Sequence, residues 1–535
     1  MPIGGMQAQP LTVTMLIDHA AREHGAREIV SYWADGRLQR SNWREVHLLA
    51  RKMSQALQRL GMTKGDRIAT LAMNHVHHLA AWYGSAGMGG ILHTVNPRLF
   101  DDQLVYIMNH ASDRVLLFDR AFLPIVERLR PQLKTIEHFI LFDSAAEGEY
   151  LGFEEWVGAE DGNFAWVELA EDDPCGLCYT SGTTGNPKGV LYQHRSNVIH
   201  AYALLQPDVF DLSARAVALP VVPMFHANAW GLPYGSAAVG AKMVFSATND
   251  ASVLWRLIRE EKVTHSAGVP TVWLQMFADM DANGGDWGRL KQVVIGGSAA
   301  PRAMIERLMK AGISVAHAWG MTETSPIGTM GAKPYDWDDM TFDQQVDMVT
   351  KQGRVPFGVE LRIVDDNDEV LPRDGKTSGR LQVRGPWIIQ RYFEAEHNAA
   401  DADGWFDTGD VALIHTDGIM QITDRAKDVI KSGGEWISSI ELENAAVGAP
   451  GVAEAAAVGV PHPKWDERPL LLVVRKPGSE VTREEILAHL QTEVAKWWLP
   501  DEIKFVDSLP HTATGKLLKR QLRDEYKTYK LASIA

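Results

Sequence analysis

The sequence predicts a mixed α/β fold. We expect a large N-terminal domain, made of two α/β layered subdomains plus a β-barrel-like subdomain, and a small α+β C-terminal domain. Three observations support this prediction. The chain has 535 residues, which is too long for one ordinary core. Helical spacing alternates with short apolar runs over residues 11–170 and again over 216–318. After about residue 353 the pattern changes to hairpins and then to capped helices.

Individual runs justify the layered part. Residues 67–71 and 114–118 are β-rich and predict short strands between helical segments. The run Cys175–Tyr179 is apolar throughout and predicts a buried strand. Its lone CxxC is therefore interpreted as two buried small side chains rather than a zinc or redox pair. A third apolar run ends in the glycine-rich turn Gly296–Pro301.

Two hairpin signals follow. Turn residues lie at Asp366–Asn367 and at Asp417–Gly418, each between β-rich runs, and predict a β-barrel or a small sheet. A charged, glycine-containing stretch then begins at Asp424 and is the candidate linker. The predicted domain boundaries are 1–423 for the N-terminal domain, 424–428 for the linker and 429–535 for the C-terminal domain.

The C-terminal part has helix-start signals of its own. Ser438 is followed three residues later by Glu441, and Thr482 by Glu485, which is the capping-box pattern in both cases. Two apolar β-like runs lie between these starts. A compact α+β unit is the prediction.

Composition excludes some classes of protein. A net charge of -15 argues against a broad nucleic-acid surface. The N-terminus has no basic segment followed by an apolar one, and no stretch approaches eighteen uncharged apolar residues, so we expect a cytoplasmic protein that does not span a membrane. The charge of anionic substrates would have to be neutralised locally by backbone N–H groups, a metal ion and a few placed cations.

The strongest local signal is the loop Tyr179–Val190, which is dense in threonine, serine and glycine. Glycines let the backbone approach phosphate oxygens, hydroxyls and N–H groups donate hydrogen bonds, and Lys188 adds a charge. It is not a Walker A loop, because Pro187 and Gly189 stand where that motif needs glycine and serine or threonine. The alternative, a plain polar loop, does not require this repetition.

The loop resembles the phosphate loop of the adenylate-forming (AMP-binding, ANL) superfamily, which contains acyl-CoA synthetases, luciferases and peptide-synthetase adenylation domains. Further motifs of that superfamily match in order along most of the chain. They are Pro223–Trp230, Gly296–Pro301, Trp319–Thr324, Trp405–Asp410, Asp424–Asp428 and Pro510–Lys516.

The resemblance implies an AMP-forming acyl-CoA synthetase, a ligase that uses ATP, Mg²⁺ and CoA. A carboxylic acid and ATP would give acyl-AMP and pyrophosphate, and CoA would then displace AMP. It also implies a mobile C-terminal domain, with Lys427 at the hinge. The partners are small molecules, and relatives that act on fatty acids suggest a homodimer. Peripheral membrane contact stays open, although no basic amphipathic helix is evident.

The resemblance also assigns nucleotide-binding residues. Glu323 and Thr184 would hold Mg²⁺, since hard cations prefer oxygen ligands. Trp319 stands where the family usually has an adenine-stacking tyrosine, and Asp410 and Arg425 would contact the ribose. The remaining implied nucleotide contacts are Thr180, Ser181, Gly182, Thr183, Gly185, Lys188, Gly297, Ser298, Ala318, Gly320, Met321 and Thr322.

Lys516 is the predicted catalytic lysine. In the family it contacts the carboxylate and the α-phosphate and stabilises charge as the acid attacks phosphorus. Residues of the segment after the hinge would serve the CoA step. They are Lys431, Gly433, Gly434 and Trp436.

The acid itself is predicted from the segment Met224–Tyr234, together with Ser432–Ser439 and Pro461–Pro469. These segments are most similar to bacterial medium- and long-chain fatty-acid-CoA ligases and to 3-methylmercaptopropionate-CoA ligases. A fatty acid of medium or long chain is the first hypothesis, and 3-methylmercaptopropionate or another short, branched or aromatic acid is the second. In the first, Trp230 gates an acyl tunnel, and in the second it is a fixed pocket wall. The implied acid-binding residues are Phe225, His226, Trp230 and Gly231.

Three other classes remain as alternatives. An adenylating oxygenase like luciferase would need an oxygenase motif, which is not apparent. A carrier-protein loading module is disfavoured because the chain stops shortly after the lysine motif. A catalytically silent acyl-binding relative is disfavoured by the presence of Lys516, Glu323 and Asp410.

Overall fold

A computed structural model describes the chain at residues 5–143, 145–180, 186–331, 333–433, 435–511 and 517–531. The described residues form two compact units. The first takes in the described parts of 1–180, 187–360 and 384–404. The second takes in Asn186 and the described parts of 361–383 and 405–535.

The helices are concentrated in the first unit, and several begin at a side chain that caps the first turn. Asn42, Asp250 and Thr482 each accept a hydrogen bond from a backbone N–H in the first turn of the helix that follows. The α-helices are α1 Val13–Glu23, α2 Trp43–Arg59, α3 Val76–Gly87, α4 Asp101–His110, α5 Leu123–Leu129, α6 Phe153–Gly158, α7 His194–Leu204, α8 Leu232–Val239, α9 Ala251–Glu260, α10 Pro270–Asn283, α11 Arg302–Lys310, α12 Phe342–Val349, α13 Ser439–Gly448, α14 Arg483–Glu493 and α15 Lys519–Tyr526.

The strands are mostly short. They are β1 Glu28–Tyr32, β2 Leu38–Asn42, β3 Arg67–Leu71, β4 Ile91–Thr94, β5 Val115–Phe118, β6 His138–Leu141, β7 Leu151–Gly152, β8 Pro174–Tyr179, β9 Gly189–Gln193, β10 Val217–Pro220, β11 Lys242–Ser246, β12 His265–Gly268, β13 Gln292–Ile295, β14 Ser314–Gly320, β15 Ile327–Met330, β16 Glu360–Val364, β17 Gly379–Arg384, β18 Phe406–Ile414, β19 Met420–Arg425, β20 Ile430–Ser432, β21 Glu435–Ile437, β22 Val452–His462, β23 Asp466–Arg475 and β24 Glu502–Phe505.

The first unit contains two largely parallel sheets. One has eight strands in the order β15-β14-β13-β12-β10-β11-β1-β2, and the other has seven in the order β7-β6-β5-β3-β4-β8-β9. The edge strands β2, β15 and β9 pair antiparallel with their neighbours. Parallel strands need crossover connections, which the intervening helices supply.

Both sheets share one central core. Ile29 and Met243 of the eight-stranded sheet belong to the same buried cluster as Ile68 and Leu117 of the seven-stranded sheet, together with helices α1, α2, α3, α7 and α8. Successive strand residues point to opposite faces, so Val30 of the larger sheet packs into a separate cluster on the other side. The first unit is therefore layered helix, sheet, helix, sheet, helix, which confirms the predicted pair of α/β layered subdomains.

The second unit contains two smaller sheets. One has four strands in the order β16-β17-β18-β19, in which neighbouring strands β17, β18 and β19 pair antiparallel. The other has five, with α13 and α14 packed on it through Leu442, Leu471 and Leu490. The hairpin section thus forms a small sheet, one of the two forms expected. By compactness it groups with the C-terminal residues, while the boundary at 424–428 stays a prediction.

Most local predictions agree with the structure. The expected strands at 67–71 and 114–118 are β3 and β5, and both cysteines lie buried and unbonded to each other in β8. Thr482 forms the predicted capping box with Glu485. Ser438 accepts the backbone N–H of Glu441, which is one of the two hydrogen bonds of the capping box predicted there.

Candidate functional site

The matched motifs follow the carboxyl ends of parallel strands. Strand β10 leads into Pro223–Trp230, β13 into Gly296–Pro301, and β14 into the turn that contains Glu323. Because β10, β12, β13 and β14 run parallel in one sheet, these ends lie at the same edge. Ligands of open α/β sheets bind at that edge, so the topology gathers motifs that are distant in sequence.

Residues in or next to three of these motifs lie close to one another. A side chain at Gly296 would lie 3.3 Å from Cη2 of Trp230 and 3.1 Å from the carbonyl oxygen of Ala318. The next residue, Gly297, has φ +83. Space is therefore tight for a Cβ at Gly296, and the left-handed conformation of Gly297 favours glycine.

Trp319 lies on β14 with only 8% of its surface exposed. Its six-membered ring covers Gly328 of β15, where a Cβ would lie 2.1 Å from Cζ3 of the indole. Gly328 thus provides the flat surface against which the indole packs. An aromatic ring fixed in this way is suited to stack on a planar base.

Glu323 is a buried acid, 6% exposed, in the short 3₁₀ turn Thr322–Thr324. Its Oε1 accepts a hydrogen bond of 2.7 Å from the hydroxyl of Tyr392, and its carbonyl oxygen accepts the N–H of Ile389 at 2.9 Å. Tyr192 donates its hydroxyl to the carbonyl of Thr322 at 2.8 Å. The carboxylate is therefore held by polar contacts rather than left in apolar surroundings.

This acid fits the implied Mg²⁺. A carboxylate offers about four lone-pair positions, so it can accept hydrogen bonds and coordinate a cation at the same time. Mg²⁺ is usually held by one or two carboxylates, with phosphate oxygens and water completing its coordination. The ion would offset charge on the departing pyrophosphate.

The phosphate loop is described only at its base. The N–H of Thr180 donates to the carbonyl of Lys188 at 2.9 Å, and the N–H of Lys188 donates to Oγ1 of Thr180 at 3.1 Å. Strands β8 and β9, which flank the loop, pair antiparallel as expected. Nζ of Lys188 lies 4.8 Å from the ring centroid of Tyr392. Several predicted residues lie outside the described part of the chain: Ser181, Gly182, Thr183, Thr184, Gly185, Gly434 and Lys516.

The segment predicted to bind the acid has an unusual backbone. All five residues of the turn Ala227–Gly231 have positive φ, between +42 and +78, and Trp230 is buried at 7% exposure. Asn74 supports the start of the segment, because its side-chain amide bonds the backbone of Pro220, Val222 and Met224. Phe225 is buried and His226 half-buried beside this turn.

In the second unit, Asp410 and Arg425 are direct neighbours. They face each other across β18 and β19, and Nε of Arg425 lies 2.8 Å from Oδ1 of Asp410. Asp410 is 2% exposed, whereas half of the Arg425 side chain is exposed. The two residues predicted to contact the ribose therefore form one ion pair.

Residues predicted for the hinge and the CoA step follow. Lys427 is exposed in a turn between β19 and β20. Lys431 and Trp436 pair across the hairpin β20–β21, with Nζ 5.8 Å from the indole centroid. Gly433 turns this hairpin at φ +63, and its N–H donates to the carbonyl of Trp465 at 2.8 Å.

Sequence reasoning missed Tyr392 and Tyr192. Neither lies in a motif that was singled out, and each acts through a hydroxyl on a residue of the Glu323 turn. Burial raises the pKa of Tyr392 well above its usual range, and the Glu323 carboxylate raises it further. Tyr392 therefore stays a neutral hydrogen-bond donor. A tyrosine in a polar loop carries no local signal of this role.

These features are those expected of an adenylate-forming enzyme. In the first unit, a cation at the base of a hydroxyl-rich loop, a buried acid that fits a metal ion and a packed indole are suited to bind a nucleoside triphosphate. The second unit carries a carboxylate–guanidinium pair of its own. Comparisons with known proteins agree. The family model of the AMP-binding enzyme matches residues 17–393, and that of the AMP-binding enzyme C-terminal domain matches residues 441–516.

Relatives match along nearly the full length. The chain is 49% identical to a 3-methylmercaptopropionyl-CoA ligase of Ruegeria lacuscaerulensis, over 98% of this chain and 99% of the relative. It is 47% identical to a medium-chain-fatty-acid–CoA ligase of Ectopseudomonas oleovorans, over 98% and 97%. It is 44% identical to a long-chain-fatty-acid–CoA ligase of Thermus thermophilus, also over 98% and 97%.

A solved structure supports the fold. The anthranilate CoA ligase AuaEII in complex with anthranoyl-AMP superposes with a TM-score of 0.84 at 26% identity, covering 98% of this chain and 99% of that one. The chain belongs to the AMP-binding enzyme family. The predictions of an AMP-forming acyl-CoA ligase and of ATP, Mg²⁺ and CoA as its co-substrates and cofactor are confirmed. Among the described residues, no helix has the length and apolar character needed to cross a membrane.

Proposed function

We propose that the chain activates a medium- or long-chain fatty acid, with Trp230 as the gate of its acyl site. The observation that carries this proposal is the left-handed turn Ala227–Gly231, in which Trp230 is held buried against Gly296. Left-handed conformations cost roughly 1–2 kcal/mol per residue, except for glycine and, in part, asparagine and aspartate. Ala227, Ala229 and Trp230 adopt them here, so the turn stores energy that a rearrangement would release. A strained segment that carries one large apolar side chain is suited to open and close.

The nucleotide roles form the second part of the proposal. Thr180 and Lys188, with the loop residues between them, bind the phosphates, and Glu323 holds Mg²⁺. Trp319 stacks on adenine beside Gly297, Ser298 and Ala318. Their support is the shared sheet edge and the buried, hydrogen-bonded state of Glu323.

The reaction needs further groups from the second unit. Asp410 and Arg425 bind the ribose hydroxyls, and their support is the ion pair between them. Lys516 stabilises charge between the acid and the α-phosphate. Lys427 is the hinge, and Lys431, Gly433, Gly434 and Trp436 serve the CoA step. The last four residues lie after the matched motif Asp424–Asp428, so their assignment rests on the resemblance to the family. The Lys431–Trp436 pair is added support for two of them.

A second candidate is ligation of 3-methylmercaptopropionate. Its support is the 49% identity to a ligase of that name, slightly above the 47% for the medium-chain relative. In that case Trp230 closes a short pocket permanently. A turn that never moves would have to be stabilised by its surroundings alone.

The deciding experiment measures ATP- and CoA-dependent formation of AMP with acids from C2 to C18 and with 3-methylmercaptopropionate. Wild type is compared with Trp230→Ala, and Lys516→Ala serves as the inactive control. A maximum at about C8 or longer supports the gated site. If the optimum lies among short or sulfur-containing acids, and Trp230→Ala extends it to longer ones, Trp230 is a wall. No CoA-dependent turnover with any acid would contradict the ligase assignment itself.

Assembly and location belong to the proposal as well. We infer a cytoplasmic homodimer. The location is supported by two buried cysteines in the free thiol state. The dimer is supported by the similarity to fatty-acid ligases. Sedimentation of the purified protein and fractionation of the producing cells test the two statements separately.

A further inference from the structure

Tyr392 contacts two residues assigned to different parts of the Mg·ATP site. Its hydroxyl donates to Oε1 of Glu323 at 2.7 Å, while its ring lies 4.8 Å from Nζ of Lys188. Glu323 is the acid assigned to the metal ion, and Lys188 is the cation assigned to the phosphates. One half-buried side chain outside every matched motif therefore touches both.

The backbone near Tyr392 is anchored at the same two places. The N–H of Ile389 donates to the carbonyl of Glu323 at 2.9 Å. On the other side, the N–H of Phe393 donates to the carbonyl of Gly189 at 2.8 Å, where the phosphate loop enters β9. A Cβ on Gly189 would lie 3.0 Å from Cβ of Phe393, so this approach is close. Segment 389–393 connects the Glu323 turn to the base of the phosphate loop.

A second contact chain fixes the far end of this segment. The phenyl ring of Phe393 lies 5.7 Å from the imidazole of His110, centroid to centroid. Nδ1 of His110 is 2.7 Å from the hydroxyl of Tyr179, which is the last residue of β8 before the phosphate loop. Both strands that flank the loop are thus tied to the segment that carries Tyr392.

The hydrogen bond from Tyr392 to Glu323 is expected to strengthen the binding of Mg²⁺. A hydroxyl that donates to one carboxylate oxygen restricts rotation of the carboxylate and so fixes the orientation in which it can bind a cation. Hydrogen-bond partners of metal-binding carboxylates typically change metal affinity about 10- to 100-fold when they are removed. A ring beneath an ammonium group restrains the lysine more weakly.

We propose that Tyr392 is a positioning residue that orients Glu323 for Mg²⁺ through its hydroxyl and holds Lys188 toward the phosphates through its ring. This inference rests on the proposed roles of Glu323 and Lys188. It adds a residue that acts through both.

The two contacts can be separated by mutation. Tyr392→Phe removes the hydroxyl and keeps the ring, whereas Tyr392→Leu removes both. Tyr335→Phe is the matched control, because Tyr335 is fully exposed. Binding of ATP is measured by calorimetry without any acid substrate, first in EDTA and then over a series of Mg²⁺ concentrations. The melting temperature of each ligand-free protein reports on a purely structural effect.

For Tyr392→Phe, we expect ATP affinity in EDTA to be unchanged and the half-saturating Mg²⁺ concentration to rise roughly tenfold. For Tyr392→Leu, ATP affinity in EDTA should also fall, by about threefold. Tyr335→Phe should match wild type in both. A change in melting temperature without a change in the Mg²⁺ series would reduce Tyr392 to a structural residue and overturn the inference.

Two further outcomes are distinguishable. If wild type shows Mg²⁺-dependent ATP binding and Tyr392→Phe shows the same dependence or a tighter one, the role of Tyr392 is wrong while the proposed function stands. If wild type binds ATP with no dependence on Mg²⁺, the assignment of Glu323 fails and the inference fails with it. Tyr392→Phe keeps the ring packing, so this test remains available if Tyr392→Leu does not fold.

Discussion

Asp410 is a buried acid with an exposed partner. Only 2% of Asp410 is exposed, while half of the Arg425 side chain reaches solvent. An ion pair of this kind contributes little net stability, since solvent screens the cation. A carboxylate is, however, a strong acceptor for sugar hydroxyls.

Asp410→Asn tests this residue. We expect binding of ATP and AMP to weaken roughly tenfold, because a hydrogen bond to a charged group contributes about 1.5–3 kcal/mol. The free energy of unfolding should change far less than binding does, since the amide keeps the shape of the carboxylate. Calorimetric titration with AMP measures the effect, and Asp507→Asn, at an exposed acid of the same unit, is the control. Equal AMP affinity in both variants would exclude Asp410 from the nucleotide site.

The left-handed turn Ala227–Gly231 is the element with the most distinctive conformation. It lies between β10 and α8, and its last residue, Gly231, has φ +78. A Cβ at that position would lie 2.6 Å from the imidazole of His200 on α7. The turn is therefore packed tightly against a helix while its backbone remains strained.

Gly231→Ala should destabilise this element. The new methyl group meets a buried ring and must adopt a conformation that alanine disfavours, so we expect the free energy of unfolding to fall by roughly 1–3 kcal/mol. Gly158→Ala is the matched control, because nothing lies within 4 Å of a Cβ there and its φ is not in the left-handed range. Urea denaturation of both variants measures the difference. Similar midpoints would mean that the turn readily adapts and stores little strain.

At the scale of the whole molecule, buried histidines link stability to pH. Burial lowers the pKa of His77, His78 and His200 to about 3 and that of His194 to about 4. These side chains are neutral in the folded chain and regain an ordinary pKa when it unfolds. Their contribution to the free energy of unfolding is therefore fully present above about pH 6.5. It is lost as the pH falls from there toward the pKa of the folded state.

His200→Phe isolates one of these contributions. Between pH 6.5 and about 4, each such histidine lowers the free energy of unfolding by about 1.4 kcal/mol per pH unit. The ring of phenylalanine can keep the edge contact with Trp387 while removing the titrating group. The free energy of unfolding is measured by denaturation of wild type and variant at pH 7.5, 6 and 5. We expect it to fall less for the variant than for wild type as the pH is lowered. An equal fall in both would contradict the burial of His200 as the cause.

The sequence by itself determined the order and type of the elements that carry the motifs. Strands β3, β5 and β8 and the capped start of α14 follow from patterns within a few residues, namely apolar runs and side-chain caps. The matched motifs likewise lie in contiguous stretches, so the family and its cofactors could be read before any coordinates. These features depend on interactions between residues that are close in the chain, so they can be predicted from short stretches of sequence.

Only the tertiary structure decided which distant residues meet. Tyr392 reaches Glu323 across 69 residues, and two sheets share one core, because burial chooses partners by shape rather than by position in the chain. The turn Ala227–Gly231 has a glycine only at its end, so composition gave no sign of five left-handed residues. Packing against Gly296 and His200 holds that backbone in place, and such packing exists only once the chain has folded.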